Sequence, residues 1–95
     1  MMVAAPVQSR LFKIVNKRGL HARASAKFVQ TVDGYDAIVR VTREGSTVGG
    51  TSIMGLMMLA ASPGCSIAVE AEGRQADEVL DALEVMIADR FGEDA

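Results

Sequence analysis

Beyond Pro63-Gly64 the apolar period of the chain changes from two residues to between three and four. Across 66–72, Ile67, Val69 and Ala71 point one way while Ala68, Glu70 and Glu72 point the other, which is the alternation of a half-buried strand. After Gly73, the residues Val79, Leu80, Leu83, Met86 and Ile87 form one helical stripe against a charged back face of Glu78, Asp81, Glu84 and Asp89. A strand with one apolar side and a helix with one apolar stripe can each be buried only against another element. This switch therefore predicts a layered domain of sheet and helix.

The rest of the chain carries the same alternation. A first strand is expected over 10–15, with Phe12 and Ile14 on one face and Leu11 and Val15 on the other, so it is expected to lie inside the sheet or under cover on both sides. A helix follows from Ala22 to Val32, where the small residues Ala22, Ser25 and Ala26, with Val29 and Val32, predict a close approach to a sheet. Asp33-Gly34 ends it, and 37–41 resumes a β-branched strand. A turn at Arg43-Glu44-Gly45-Ser46 leads to a short partner strand over 46–48. Gly49-Gly50 breaks the ladder, and Thr51 or Ser52 caps a short helix over 53–59. The order βαββαβα predicts an α+β open-faced β-sandwich, a four-stranded antiparallel sheet covered on one face by three helices. Residues 1–9 are expected as a flexible leader, 10–91 as one domain and 92–95 as a C-terminal tail.

Composition narrows the chemistry. Ninety-five residues, 49% hydrophobic, suit one core. A net charge of -2 with interspersed signs and no Trp gives no basic stripe or stacking platform, which argues against nucleic acid. One cysteine, Cys65, and one histidine do not make a zinc site, so neither a metal nor a cofactor is expected. The apolar run over 53–61 is well short of the roughly 20 residues of a membrane helix, and residues 1–9 lack a basic start, so the expected compartment is the cytoplasm.

The lone histidine stands in Gly19-Leu20-His21-Ala22-Arg23, between the first strand and the first helix. A helix start presents backbone N–H groups without intrahelical partners, which hold anions. Histidine supplies a nucleophilic ring nitrogen, Arg23 adds a cation, and Gly19 allows a sharp turn. The segment reads as a nucleophile beside an anion cradle.

Asn16-Lys17-Arg18-Gly19-Leu20-His21-Ala22-Arg23, with Ala26-Lys27-Phe28-Val29 after it, resembles the phosphorylation-site region of HPr, the histidine phosphocarrier family of the bacterial phosphotransferase system. Ser52-Ile53-Met54-Gly55-Leu56-Met57-Met58-Leu59 resembles the regulatory-serine helix of the same family. The resemblance implies a sheet order of one, four, two, three. It also implies a relay in which His21, phosphorylated on Nδ1, takes the phosphoryl group from enzyme I and gives it to enzyme IIA domains. Arg23 would stabilise the phosphoryl group, and Ser52 would be a target of an HPr kinase/phosphorylase. Ala22, Ala26, Ile53, Met54, Met57 and Met58 would form the docking face. One departure is Ala24, which stands where the commoner family pattern has proline. A nitrogen-related carrier (NPr-like) and a passive interaction domain stay open as alternatives. An acylphosphatase-like hydrolase needs an arginine phosphate loop and a water-placing asparagine, and no such pair is evident.

Overall fold

The computed structural model describes residues 7–95. The order is β1 (Val7–Lys13), α1 (Ala22–Asp33), β2 (Ile38–Arg43), β3 (Ser46–Gly49), α2 (Ile53–Met58), β4 (Ser66–Glu72), α3 (Ala76–Ala88) and a final 3₁₀ turn, Arg90–Gly92. The strands lie β1-β4-β2-β3, with every neighbouring pair antiparallel. Phe12, Val39, Val41, Ile67, Val69 and Ala71 turn from the sheet into a core shared with the three helices, as the α+β sandwich expectation requires. No helix of the described residues is long and apolar enough to cross a membrane.

Local chemistry accounts for the turns. Glu44 and Gly45 both have positive φ, the two-residue hairpin geometry that matches strand twist. Thr42 and Thr47 face each other across that hairpin with their hydroxyls 2.7 Å apart. β4 and the α3 stripe fall where the apolar period placed them, with Val79, Leu80, Leu83 and Ile87 buried and Met86 half-buried. Arg10 ties β1 to α3 through Asp81 at 2.8 Å and Glu84 at 3.1 Å.

Three expectations need correction. The first strand begins at Val7 and ends at Lys13, so Val7, Gln8 and Ser9 belong to the sheet rather than to a leader; the remainder of the expected leader, 1–6, lies outside the described residues. β1 is an edge strand with its outer face open, and Leu11 is 71% exposed rather than covered. The buried stripe of α1 is Ala24, Ser25, Phe28 and Val32, so Ala22 is exposed and Ala26 and Val29 are half-buried. Phe28 sets that phase, because burying its ring outweighs burying two methyl groups by about 1–2 kcal/mol.

Candidate functional site

The backbone delivers His21 to the start of α1 through a loop that has little freedom. Ile14 N donates to Cys65 O at 2.8 Å, Gly64 N to Ile14 O at 2.9 Å and Leu20 N to Ala61 O at 2.9 Å. Gly19 adopts φ +64, and a Cβ there would meet Ala61 O at 2.2 Å, so only glycine fits this approach. Asn16 continues the inward parity of Phe12 and Ile14 and is fully buried. Its Nδ2 donates to Gly19 O at 2.8 Å, which closes the loop from inside.

His21 is the N-cap of α1, one position earlier than the first helical turn, and its side chain is 16% exposed. Its two nitrogens have different neighbours. Nδ1 accepts from Arg23 N at 3.3 Å, while Nε2 lies 2.5 Å from Glu93 Oε2. A nitrogen that accepts a hydrogen bond carries no proton, so the proton sits on Nε2 and is donated to the carboxylate. The Nδ1 lone pair therefore points to the helix tip, where the first intrahelical bond, Ser25 N to His21 O at 2.9 Å, leaves the preceding amides without carbonyl partners in the helix. Ala24 is among these preceding residues and has an N–H that proline would lack.

Glu93 is brought back to His21 by a left-handed turn after α3. Arg90, Phe91 and Gly92 have φ of +56, +54 and +77. Phe91 is buried, and its carbonyl accepts from Lys27 Nζ at 2.6 Å. Asn16 Nδ2 also reaches Glu93 Oε1 at 3.2 Å. Partial burial pushes the Glu93 carboxyl up, but the hydrogen bonds from His21 and Asn16, with the nearby charge of Arg18, hold it below its usual range.

An open cleft of about 380 Å³ lies over the ring, bordered by Lys17, Arg18, Arg23 and Lys27 as well as His21 and Glu93. Arg23 is exposed and has no ion pair among the described residues, which leaves its guanidinium free for an anion. His21 and Arg23 are thus brought together as their spacing suggested. Lys17, Arg18, Lys27, Asn16 and Glu93 complete the site and were not singled out as site residues by sequence reasoning. Asn16 carried a signal, a polar residue at an inward position. Glu93 carried none, because its partner is 72 residues away.

Ser52 is the N-cap of α2, and its Oγ accepts from Gly55 N at 2.9 Å. Leu56 and Leu59 are buried, whereas Ile53, Met54, Met57 and Met58 are exposed, Met54 by 73% and Met58 by 78%. α2 packs on α1, the helix that carries Ala22 and Ala26. Among the described residues no cluster of His, Cys, Asp and Glu has the grouping of a metal site.

Comparisons with known proteins show the family and agree with the fold. The family model described as the PTS HPr component phosphorylation site matches residues 8–89, and so ends short of Glu93. The phosphocarrier protein HPr of Cupriavidus necator is 49% identical over 84% of this chain and 90% of its own length. HPr of Pseudomonas aeruginosa is 52% identical over 84% of this chain and 90% of its own. The phosphocarrier protein NPr of Escherichia coli is 37% identical over 86% of this chain and 92% of its own, which favours the HPr branch over the nitrogen-related one. The crystal structure of HPr-C-His from Thermoanaerobacter tengcongensis superposes with a TM-score of 0.88 at 38% identity, covering 93% of this chain and 99% of that one. A match of this extent in sequence, together with a shared fold, makes the chain a member of the HPr family, the phosphocarriers of the phosphotransferase system.

Proposed function

We propose that this phosphocarrier bears its phosphoryl group on Nδ1 of His21, receiving it from phosphorylated enzyme I and passing it to enzyme IIA domains in the cytoplasm. The observation that carries the proposal is the Nδ1 lone pair, unprotonated and directed at the tip of α1. In uptake, Nδ1 gives up its hydrogen bond from Arg23 N and attacks phosphorus, and the bond from phosphorus to the donor breaks, its electron pair leaving with the donor. Such a transfer depends on positioning and charge stabilisation more than on covalent assistance. The α1 amides and the Arg23 guanidinium supply positive potential where the phosphoryl oxygens arrive, each contributing about 0.3–2 kcal/mol.

Recognition of two unlike partners calls for an adaptable surface. The exposed Ile53, Met54, Met57 and Met58 suit that role, with Ala22 and Ala26 of the packed neighbour as the small-residue side of the same face. Ser52 is exposed and accessible to an HPr kinase/phosphorylase, where a phosphate would add nearly two negative charges beside the docking helix. Intact mass after incubation with that kinase and ATP tests this: an unmodified chain refutes it.

The relay is tested by mixing the protein with phosphoenolpyruvate and enzyme I. An acid-labile, base-stable label on His21, lost in His21→Ala, supports the carrier chemistry. Free phosphate would point to hydrolysis, and no label to a passive domain; either outcome overturns the proposal. Arg23→Ala is expected to slow uptake while leaving the fold intact, because the side chain is exposed.

A further inference from the structure

The chain after α3 adopts a costly backbone. Arg90 and Phe91 are consecutive non-glycine residues with positive φ, a conformation that costs about 1 kcal/mol or more each. Burial of the Phe91 ring and the bond from Lys27 Nζ to its carbonyl hold the turn in place. Its consequence is that Glu93 is carried back to the one histidine, where its two carboxylate oxygens are divided between His21 Nε2 and Asn16 Nδ2. Asn16 is itself fully buried and anchored to Gly19 O. An accidental surface pair does not have this support.

Resting on the carrier reading above, we infer that Glu93 is a positioning residue for His21: its carboxylate keeps the proton on Nε2, presents Nδ1 for attack, and retains that proton while the phosphoryl group is bound. The electron count gives the carboxylate a part in both half-reactions. When the bond from Nδ1 to phosphorus forms, the ring becomes cationic, and the charge is shared with the N–H at Nε2, which faces the carboxylate. When that bond breaks, the electron pair returns to Nδ1 and the ring leaves neutral, with the same proton still on Nε2. A phosphorylated ring that had lost this proton would have to leave as imidazolate, a far poorer leaving group. No proton transfer to solvent is needed in either direction.

The surroundings make the carboxylate necessary. Lys17 and Arg18 from the loop before α1, and Arg23 and Lys27 from α1, border the same cleft, and their charges favour loss of the Nε2 proton from a cationic ring. On the opposing side stand Glu93, in direct contact, and Asp94 beside it. The fixed carboxylate thus allows the cationic border to attract phosphate without stripping the ring.

The test uses the full chain with Glu93→Ala and Glu93→Gln, the second keeping an acceptor oxygen but no charge. Imidazole nitrogen resonances of the unphosphorylated protein report the tautomer, a readout that stability alone does not move. Wild type is expected to hold the Nε2–H form, Glu93→Gln to resemble it, and Glu93→Ala to gain the Nδ1–H form. In onward transfer from the phosphorylated chain, both variants should lose rate at alkaline pH where wild type does not, by roughly tenfold in kcat with KM for the acceptor unchanged. Wild-type tautomer and wild-type alkaline rates in both variants would overturn the inference while leaving the carrier reading intact. Absence of label on wild-type His21 would overturn the carrier reading, and the tautomer measurement would still decide the part assigned to Glu93.

Discussion

α1 and α2 each begin on a residue whose side chain both caps the helix and is a candidate to carry phosphate, yet the two starts are held in different ways. At α2 the Ser52 hydroxyl accepts from Gly55 N, three residues on, so the cap is closed within its own helix. At α1 the His21 ring uses Nδ1 for the helix and gives Nε2 to Glu93 from the far end of the chain, with Asn16 joining the loop to the same carboxylate. Several residue types satisfy a local cap. A ring whose two nitrogens must be distinguished requires a partner for each, and only the tertiary fold supplies the second. Capping is a property of the sequence at α2, whereas at α1 it is part of a site assembled by the whole domain.

The sharpest way to break this contrast is to remove its buried hinge. Asn16→Leu leaves Gly19 O without its donor and frees one oxygen of Glu93, and is expected to cost about 1–3 kcal/mol. Asn16 Oδ1 is itself buried without a partner among the described residues, so its removal offsets part of that loss. Thermal unfolding checks the value, and enzyme I-dependent labelling should fall in the folded variant. An unchanged midpoint with full labelling would mean that the α1 tip is as self-sufficient as the α2 tip.

The docking face gives the next effect. Met54→Glu with Met57→Glu alters exposed positions and should leave unfolding within about 0.5 kcal/mol of wild type. Enzyme I affinity should fall about tenfold, measured by titration calorimetry, since only a few residues carry most of such an interface. Lost thermal cooperativity would instead place these methionines in the core.

The same contrast explains what could be read in advance. β4, the α3 stripe, the Ser52 cap and the outward methionines rest on interactions within a few residues, and local pattern is enough for those. The phase of α1 was misread because small residues at the right spacing resemble a buried stripe, while Phe28 and Ala24 supply the larger and tighter contact. Cover over Leu11 was misjudged for a related reason: an apolar run does not show whether helices cover one face of a sheet or both, and here Leu11 on the rim strand β1 and Ile38 on the inner strand β2 are both exposed on the open face. His21 and Arg23 were legible because they share one segment. Glu93 was not, because three consecutive left-handed residues redirect the chain after the period of α3 has ended.

Ser52→Ala tests the local side of the comparison. Loss of the hydroxyl should cost about 1 kcal/mol, and Ser52→Asp should recover most of it because a carboxylate also accepts at a helix start. Neither change should alter the tautomer of His21, since no hydrogen bond links the two caps among the described residues.

The smallest effect is in pH dependence, and its sign separates the two caps. Glu93 titrates below its ordinary 4.5 in the folded chain, so the folded state binds the carboxylate's proton less readily than the unfolded state does. Its contribution is therefore fully present above the unfolded value and is lost as pH falls through the depressed folded value. The midpoint difference between wild type and Glu93→Gln should be clear near pH 6 and should shrink as the pH falls below 4.5 and on through the depressed folded value, where the carboxylate takes up its proton. The Ser52 hydroxyl does not titrate in this range, so the difference between wild type and Ser52→Ala should stay constant over the same interval. Equal pH dependence for the two variants would mean that the His21 and Glu93 pair adds no charge-based stability. The α1 tip would then differ from the α2 tip in geometry alone.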